Sequence, residues 1–248
     1  MLSKTHTKYI QSLQHKKFRD ENGLFLTEGP KVVMDLLNSR KFICKEIFGL
    51  NNWIEEHRKQ LQGLRDVVIT AVEDFELQKI SSLSTANTVV AVFEKRKQNF
   101  EINFAGKITL ALDTIQDPGN LGTIIRIADW FGVEHIICSI GCADMYNAKV
   151  VQSTMGSLGR VNIVYTDLVL WLQQNKKIKI YSASLEGVDV KAFGKLKEGI
   201  LIVGNESNGV SNEVMKLVNE KITIPKIGEA ESLNAAVAAG IILSHLKS

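Results

Sequence analysis

The chain has 248 residues, 45 % hydrophobic and 23 % charged, with a formal net charge of +3 at pH 7. That is enough for one large or two modest domains with real cores, and the mild charge permits an RNA partner without arguing for one. The first ten residues are too polar for a signal peptide, and the most apolar window, Ala235 to Leu246, is too short to span a bilayer, so a cytoplasmic protein is expected.

The first 19 residues carry Lys4, Lys8, Lys16, Lys17 and Arg19 and no carboxylate, a basic leader that is in part helical or solvated and disordered. Residues 23–27 read as a strand, and Pro30 opens a helix with an apolar stripe of Val32, Val33, Leu36 and Leu37. Strands follow at 43–50, 67–71 and 88–93, with helices at 53–61 and 72–80 between them. These form a small α/β domain over residues 1–97, and the charged stretch 98–106 reads as a linker.

A second α/β series fills residues 107–248. Strands are expected at 108–113, 135–140, 161–165, 178–184, 201–203 and 222–224, and helices at 121–132, 147–158, 168–174 and 212–218. An alanine-rich helix closes the chain. Unbroken apolar strands alternating with helices imply a mostly parallel sheet covered on both faces. Ligands of such sheets sit beyond the carboxyl ends of the strands. Cys44, Cys138 and Cys142 are an odd number with no second Cys/His pair at zinc spacing, so reduced, buried thiols and no metal site are expected.

Three polar clusters lie at strand ends. The first, Asp117-Pro118-Gly119-Asn120-Leu121-Gly122, opens a helix carrying Arg126, with Asn120 placed to cap it. Arg126 sits among Ile124, Ile125, Ile127 and Phe131, either as a functional group or as a packed cation paired with Asp129 or Glu206. The second, Gly204 to Gly209, contains Glu206; it is a ligand loop or a plain strand-to-helix turn capped by Ser211. The third, Glu231-Ser232-Leu233-Asn234, reads locally as a helix start with Ser232 as N-cap. A nicotinamide-binding oxidoreductase is excluded, because no G-x-G-x-x-G follows either first strand.

Together, in this order and spacing, DPGNLGTIIRIADWFG, LIVGNESNGVS and IPKIGEAESLNAAVAAGI resemble the three motifs of the SpoU (TrmH-type) RNA ribose 2′-O-methyltransferases of the SPOUT superfamily. The resemblance covers about residues 107–248, and residues 146–160 are similar to the family's middle region. It implies a trefoil-knotted, mostly parallel sheet behind a smaller L30e-like substrate-binding domain. It also implies S-adenosylmethionine as cofactor, RNA rather than DNA as substrate, ribosomal RNA favoured over transfer RNA, and a homodimer through the knot region. Asn120, Arg126, Glu206, Ser232 and Asn234 match the family's catalytic positions. Gly204, Ile224 and Leu233 match positions that hold the cofactor. Arg126 would orient the attacking hydroxyl and stabilise its developing charge. Ser207, Ala236 and Trp130 depart from common family residues, and none of the three is a proposed catalytic group. Transfer RNA as substrate, or a non-catalytic RNA-binding protein on the same fold, are the alternatives.

Overall fold

The computed structural model describes residues 2–97 and 101–247. It separates into two compact units, Met1–Lys97 with Tyr146–Gly159, and Gln98–Met145 with Arg160–Ser248.

In the first unit the basic leader folds into two helices, α1 (Lys4–Ser12) and α2 (Lys16–Asn22). Arg19 is 2 % exposed and donates to the carbonyls of Leu13 and Gln14 (3.1 and 2.7 Å), so it caps the end of α1 instead of presenting its charge. Next come β1 (Leu24–Glu28), α3 (Pro30–Ser39), β2 (Cys44–Gly49), α4 (Asn51–Glu56), α5 (Arg58–Gln62), β3 (Val68–Ala71), α6 (Asp74–Ile80) and β4 (Val89–Glu94). The sheet order is β1-β4-β2-β3, with β4 antiparallel to both neighbours and β2 parallel to β3. One face packs Phe48, Val90 and Val92 beneath Ile10, Leu13, Leu77 and Ile80. The segment 146–159 belongs to this unit: α8 (Ala148–Thr154) packs against β1, and the turn at Ser157–Gly159 packs against α3. The helix expected over 147–158 is shorter because Met155 and Gly156 take positive φ (50° and 91°).

The second unit holds six parallel strands in the order β10-β8-β9-β5-β6-β7. They are β5 (Ile108–Asp113), β6 (His135–Ser139), β7 (Asn162–Thr166), β8 (Ile180–Asp189), β9 (Gly199–Gly204) and β10 (Glu220–Thr223). The helices are α7 (Pro118–Trp130), α9 (Leu168–Gln174), α10 (Asn212–Met215) and α11 (Ala235–Lys247). Every residue of β5 is buried, as an unalternating apolar strand at a sheet centre must be. The expected linker 98–106 lies outside the described residues at 98–100. Beyond it, Ile102 and Phe104 pack on the core formed by Ala111, Ile137, Leu168, Leu172 and Ile202, with the Phe104 ring 6.0 Å from Trp171. From β5 the chain moves one way to β6 and β7, then returns to lay β9 on the other side of β5. That reversal opens a crevice beyond the carboxyl ends of β5 and β9.

Candidate functional site

The loop after β5 begins with strain. Thr114 is β-branched, yet its φ is +59°, a conformation that costs on the order of 1–3 kcal/mol and persists only where neighbours enforce it. Its N–H donates to Ser139 Oγ (2.9 Å), its hydroxyl to Asp113 Oδ1 (3.0 Å), and its carbonyl accepts from Asn205 Nδ2 (2.9 Å). The chain then enters α7 at Pro118, and Asp117 is the N-cap, accepting the Asn120 N–H at 2.8 Å. This corrects the expectation that Asn120 caps the helix. Asn120 lies inside the first turn, and its side chain is left for other partners.

Those partners come from both other clusters. The Asn120 amide nitrogen donates to Glu206 Oε1, in the loop after β9, and its amide oxygen accepts from Asn234 Nδ2 at 2.8 Å. One half-buried asparagine thus ties all three polar clusters into a chain of hydrogen bonds. The bond to a carboxylate is the charge-assisted, stronger one.

The loop around Glu206 is built by its flanking residues. Asn205 Oδ1 accepts from the N–H groups of Ser207 and Asn208 (2.9 and 3.2 Å), and Asn205 pairs with Gly209 through two 2.9 Å backbone bonds. A Cβ on Gly204 would stand 2.2 Å from the Gly209 carbonyl carbon, so only glycine permits this fold-back. Ser211 occupies the N-cap position of α10 but its side chain caps nothing; its N–H is held instead by Asp113 Oδ2 at 2.8 Å.

Ser232 is exposed, and the closing helix starts three residues later than the cap assigned to it. Asn234 is the cap, with Oδ1 accepting from Ala236 and Val237 (3.0 and 3.3 Å). α11 then runs parallel to α7: Asn234 meets Asn120 at one end, and Lys247 Nζ reaches the Gly132 carbonyl at the other (3.4 Å).

Arg126 differs from its expected setting. It is exposed on α7 and has no hydrogen-bonding or ionic partner among the described residues. Both carboxylates suggested as its packing partners are engaged elsewhere, Asp129 with Arg160 Nε at 2.7 Å and Glu206 with Asn120. Gly204 and Ile224 stand half-buried at the ends of β9 and β10, and Leu233 is 46 % exposed beside Asn234. No group of three or more His, Cys, Asp or Glu side chains suited to a metal ion occurs among the described residues.

Sequence reasoning missed the supports: Asp113, Thr114 and Asn205 brace two of the loops and carry no motif chemistry of their own. It also missed an excursion in β8. The pairing with β10 jumps from Lys221↔Ser182 to Ile222↔Val188, so Ala183 to Gly187 bulge out of the strand, with Thr223 Oγ1 on the Leu185 carbonyl (2.9 Å). Gly187 sits where a Cβ would lie 2.5 Å from the Lys221 carbonyl oxygen. The strand expected at 178–184 stops short of Gly187, and a glycine three residues past its end was the available signal.

Comparison with known proteins matches residues 107–244 to the SpoU rRNA Methylase family and residues 4–91 to the MRM3-like substrate binding domain. A 23S rRNA (guanosine(2553)-2′-O)-methyltransferase of Bacillus subtilis is 31 % identical over 245 residues, 96 % of this chain and 94 % of the relative. Among solved structures, an AdoMet-bound rRNA methyltransferase from Sinorhizobium meliloti superposes with a TM-score of 0.87 at 30 % identity, covering 99 % of this chain and 95 % of that one. A SpoU methyltransferase from Streptomyces viridochromogenes in complex with AdoMet superposes with a TM-score of 0.85 at 25 % identity, covering 98 % and 97 %.

Proposed function

Because the chain belongs to the SpoU rRNA methylase family, we propose that it transfers a methyl group from S-adenosylmethionine to a ribose 2′-hydroxyl of ribosomal RNA. The observation that carries this reading is the Glu206–Asn120–Asn234 hydrogen-bond chain, with Arg126 exposed on the same helix as Asn120. The favoured RNA is supported by two relatives matched over almost their whole length whose names specify rRNA.

The residues present fit the cofactor. Glu206 supplies a carboxylate to complement a sulfonium, Ile224 and Leu233 supply apolar surface for an adenine, and Gly204 lets the loop backbone turn tightly beside them. Bound there, S-adenosylmethionine supplies an activated methyl on a good leaving group, so the protein is left with positioning and electrostatics. Arg126, always protonated, orients the 2′-hydroxyl or its neighbouring phosphate and stabilises the oxyanion as it develops. Asn120 holds the three loops in one register. Glu206 acts through Asn120, not by orienting Arg126 directly. Ser232, exposed and free of any capping duty, hydrogen-bonds the ribose together with Asn234. The need for a 2′-hydroxyl selects RNA over DNA. Lys4, Lys8, Lys16 and Lys17, all exposed, add phosphate contacts, and Arg19 does not.

We also propose a cytoplasmic homodimer. Support comes from apolar side chains open to solvent on the second unit: Trp130 is 84 % exposed at the end of α7, and Val237 and Leu233 are about half exposed at the head of α11. No described helix is long and apolar enough to cross a membrane. The knotted path of the last strands is part of the same proposal.

The test is transfer of labelled methyl from S-adenosylmethionine to separated, unmodified ribosomal and transfer RNA pools, with Arg126→Ala as control. Label in ribosomal RNA, mapped to a ribose and lost in the variant, is the expected result. Label confined to transfer RNA would overturn the substrate, and near-normal turnover by a folded Arg126→Ala would overturn the role of Arg126.

A further inference from the structure

Helix α6 of the first unit keeps one large side chain out of the core it builds. Leu77 and Ile80 are fully buried, whereas Phe75 is 52 % exposed. Lys79, one turn on, places its Nζ 5.0 Å from the centre of the Phe75 ring, a cation–π pair. Helix α1 is fastened alongside. The Leu2 N–H donates to Glu76 Oε1 (2.7 Å), and Gln11 Nε2 and Gln14 Nε2 donate to the carbonyls of Lys79 and Ser81 (2.7 and 3.2 Å). Lys4, Lys8 and Gln11 recur at i, i+4 and i+7, so the two lysines continue the stripe of α1 that meets Lys79, and both are exposed. The carboxylates of α6 are directed elsewhere. Glu73 and Glu76 close on each other's backbone in a capping box, and Asp74 lies about 100° around the helix from Phe75 and about 140° from Lys79.

We propose that Phe75 is a base-stacking residue for single-stranded RNA, with Lys4, Lys8 and Lys79 on the phosphates beside it, an assignment that rests on RNA being the substrate. The chemistry selects this partner. With the Lys79 ammonium over one face, the ring offers its other face to a flat π-system, and every base provides one. A phosphate chain supplies the negative charge that complements three lysines on adjoining helices. A duplex keeps its bases stacked and paired and would leave the ring unused, so the site takes a loop, a bulge or an end. A purely apolar partner would gain from the ring but would desolvate three ammonium groups without a counter-charge.

Binding alone tests this, on the full chain and without S-adenosylmethionine. Two probes are titrated: a fluorescein-labelled oligouridylate of about 12 nucleotides, followed by anisotropy, and inorganic polyphosphate, a polyanion without bases, followed by calorimetry. Phe75→Ala, with circular dichroism matching wild type, should weaken oligouridylate binding about tenfold, equivalent to ~1.4 kcal/mol, and leave polyphosphate binding unchanged. Phe75→Trp should retain oligouridylate binding, and Lys79→Gln should weaken both probes. No oligouridylate binding by wild type, equal binding by wild type and Phe75→Ala, or an equal loss for polyphosphate would each overturn the assignment. So would a Phe75→Ala variant that binds RNA normally but sediments differently, which would mark the ring as a contact between copies of the chain. The methyltransferase reading fails separately. Methyl transfer to RNA with binding indifferent to Phe75 overturns only the stacking role, and Phe75-dependent oligouridylate binding without methyl transfer to any RNA overturns only the reaction.

Discussion

Asn120 uses both ends of its amide, one on Glu206 and one on Asn234, and no other side chain type of that size presents a donor and an acceptor so placed. Asn120→Asp would put a second carboxylate against Glu206 and turn attraction into repulsion. Asn120→Ala would leave Glu206 and Asn234 without a shared partner. We expect either variant to weaken S-adenosylmethionine binding by at least about tenfold, equivalent to ~1.4 kcal/mol, read by calorimetric titration on protein whose circular dichroism matches wild type. An unchanged Kd would remove Asn120 from the loop-ordering role. Arg126 is the opposite case. It is exposed and has no partner among the described residues, so Arg126→Ala should leave the urea midpoint within ~0.5 kcal/mol of wild type while methyl transfer is lost. A cation bound into the fold would behave otherwise.

Among the elements, the closing helix gives a clear contrast. Asn234 caps α11 and Ser232 does not, so Asn234→Ala should cost about 1 kcal/mol and Ser232→Ala less than ~0.5 kcal/mol, measured by urea denaturation. Equal losses would return the cap to Ser232. Gly204→Ala drives a Cβ into the Gly209 backbone and should cost about 3 kcal/mol, the upper range for overpacking. In the first unit, α6 is held by Glu76, whose carboxylate accepts the Leu2 N–H (2.7 Å) and the Glu73 N–H (3.1 Å). The first of these bonds is the main reason its pKa lies below the ordinary 4.5. A depressed carboxylate stabilises the fold fully above its unfolded pKa and loses that contribution as pH falls through the folded value. Glu76→Gln should therefore lower the urea midpoint at pH 7, and the gap from wild type should close progressively below about pH 4.5. A gap that stayed constant down to pH 3 would mean that the charge is irrelevant.

On the scale of the whole molecule, the exposed Trp130 bears on assembly and the lysines of the first unit bear on RNA. Sedimentation should give a dimer, and Trp130→Glu should weaken it by about 2 kcal/mol, the worth of burying a large aromatic side chain. A monomeric wild type would end the dimer proposal. Replacing Lys4, Lys8, Lys16 and Lys17 with Gln should weaken RNA binding and flatten its salt dependence by roughly 0.7 for each phosphate no longer neutralised. What the sequence determined by itself was local: strands such as Ile108–Asp113 and helices such as Leu168–Gln174 follow from apolar runs and caps that need no distant partner. The three polar clusters were legible for the same reason, each being a short stretch at a strand end. Tertiary structure alone decided which side chain each group would meet. Arg19 turned inward because the end of α1 lay within its reach, Asn120 became a bridge once Asp117 had taken the cap, and Glu206 paired with Asn120 rather than with Arg126. Thr114 accepted a strained backbone because Asp113, Ser139 and Asn205, 91 residues away, close around it. Periodicity carries no information about such pairings, because they depend on strand order: β5 and β9 become neighbours only when the chain reverses direction across the sheet.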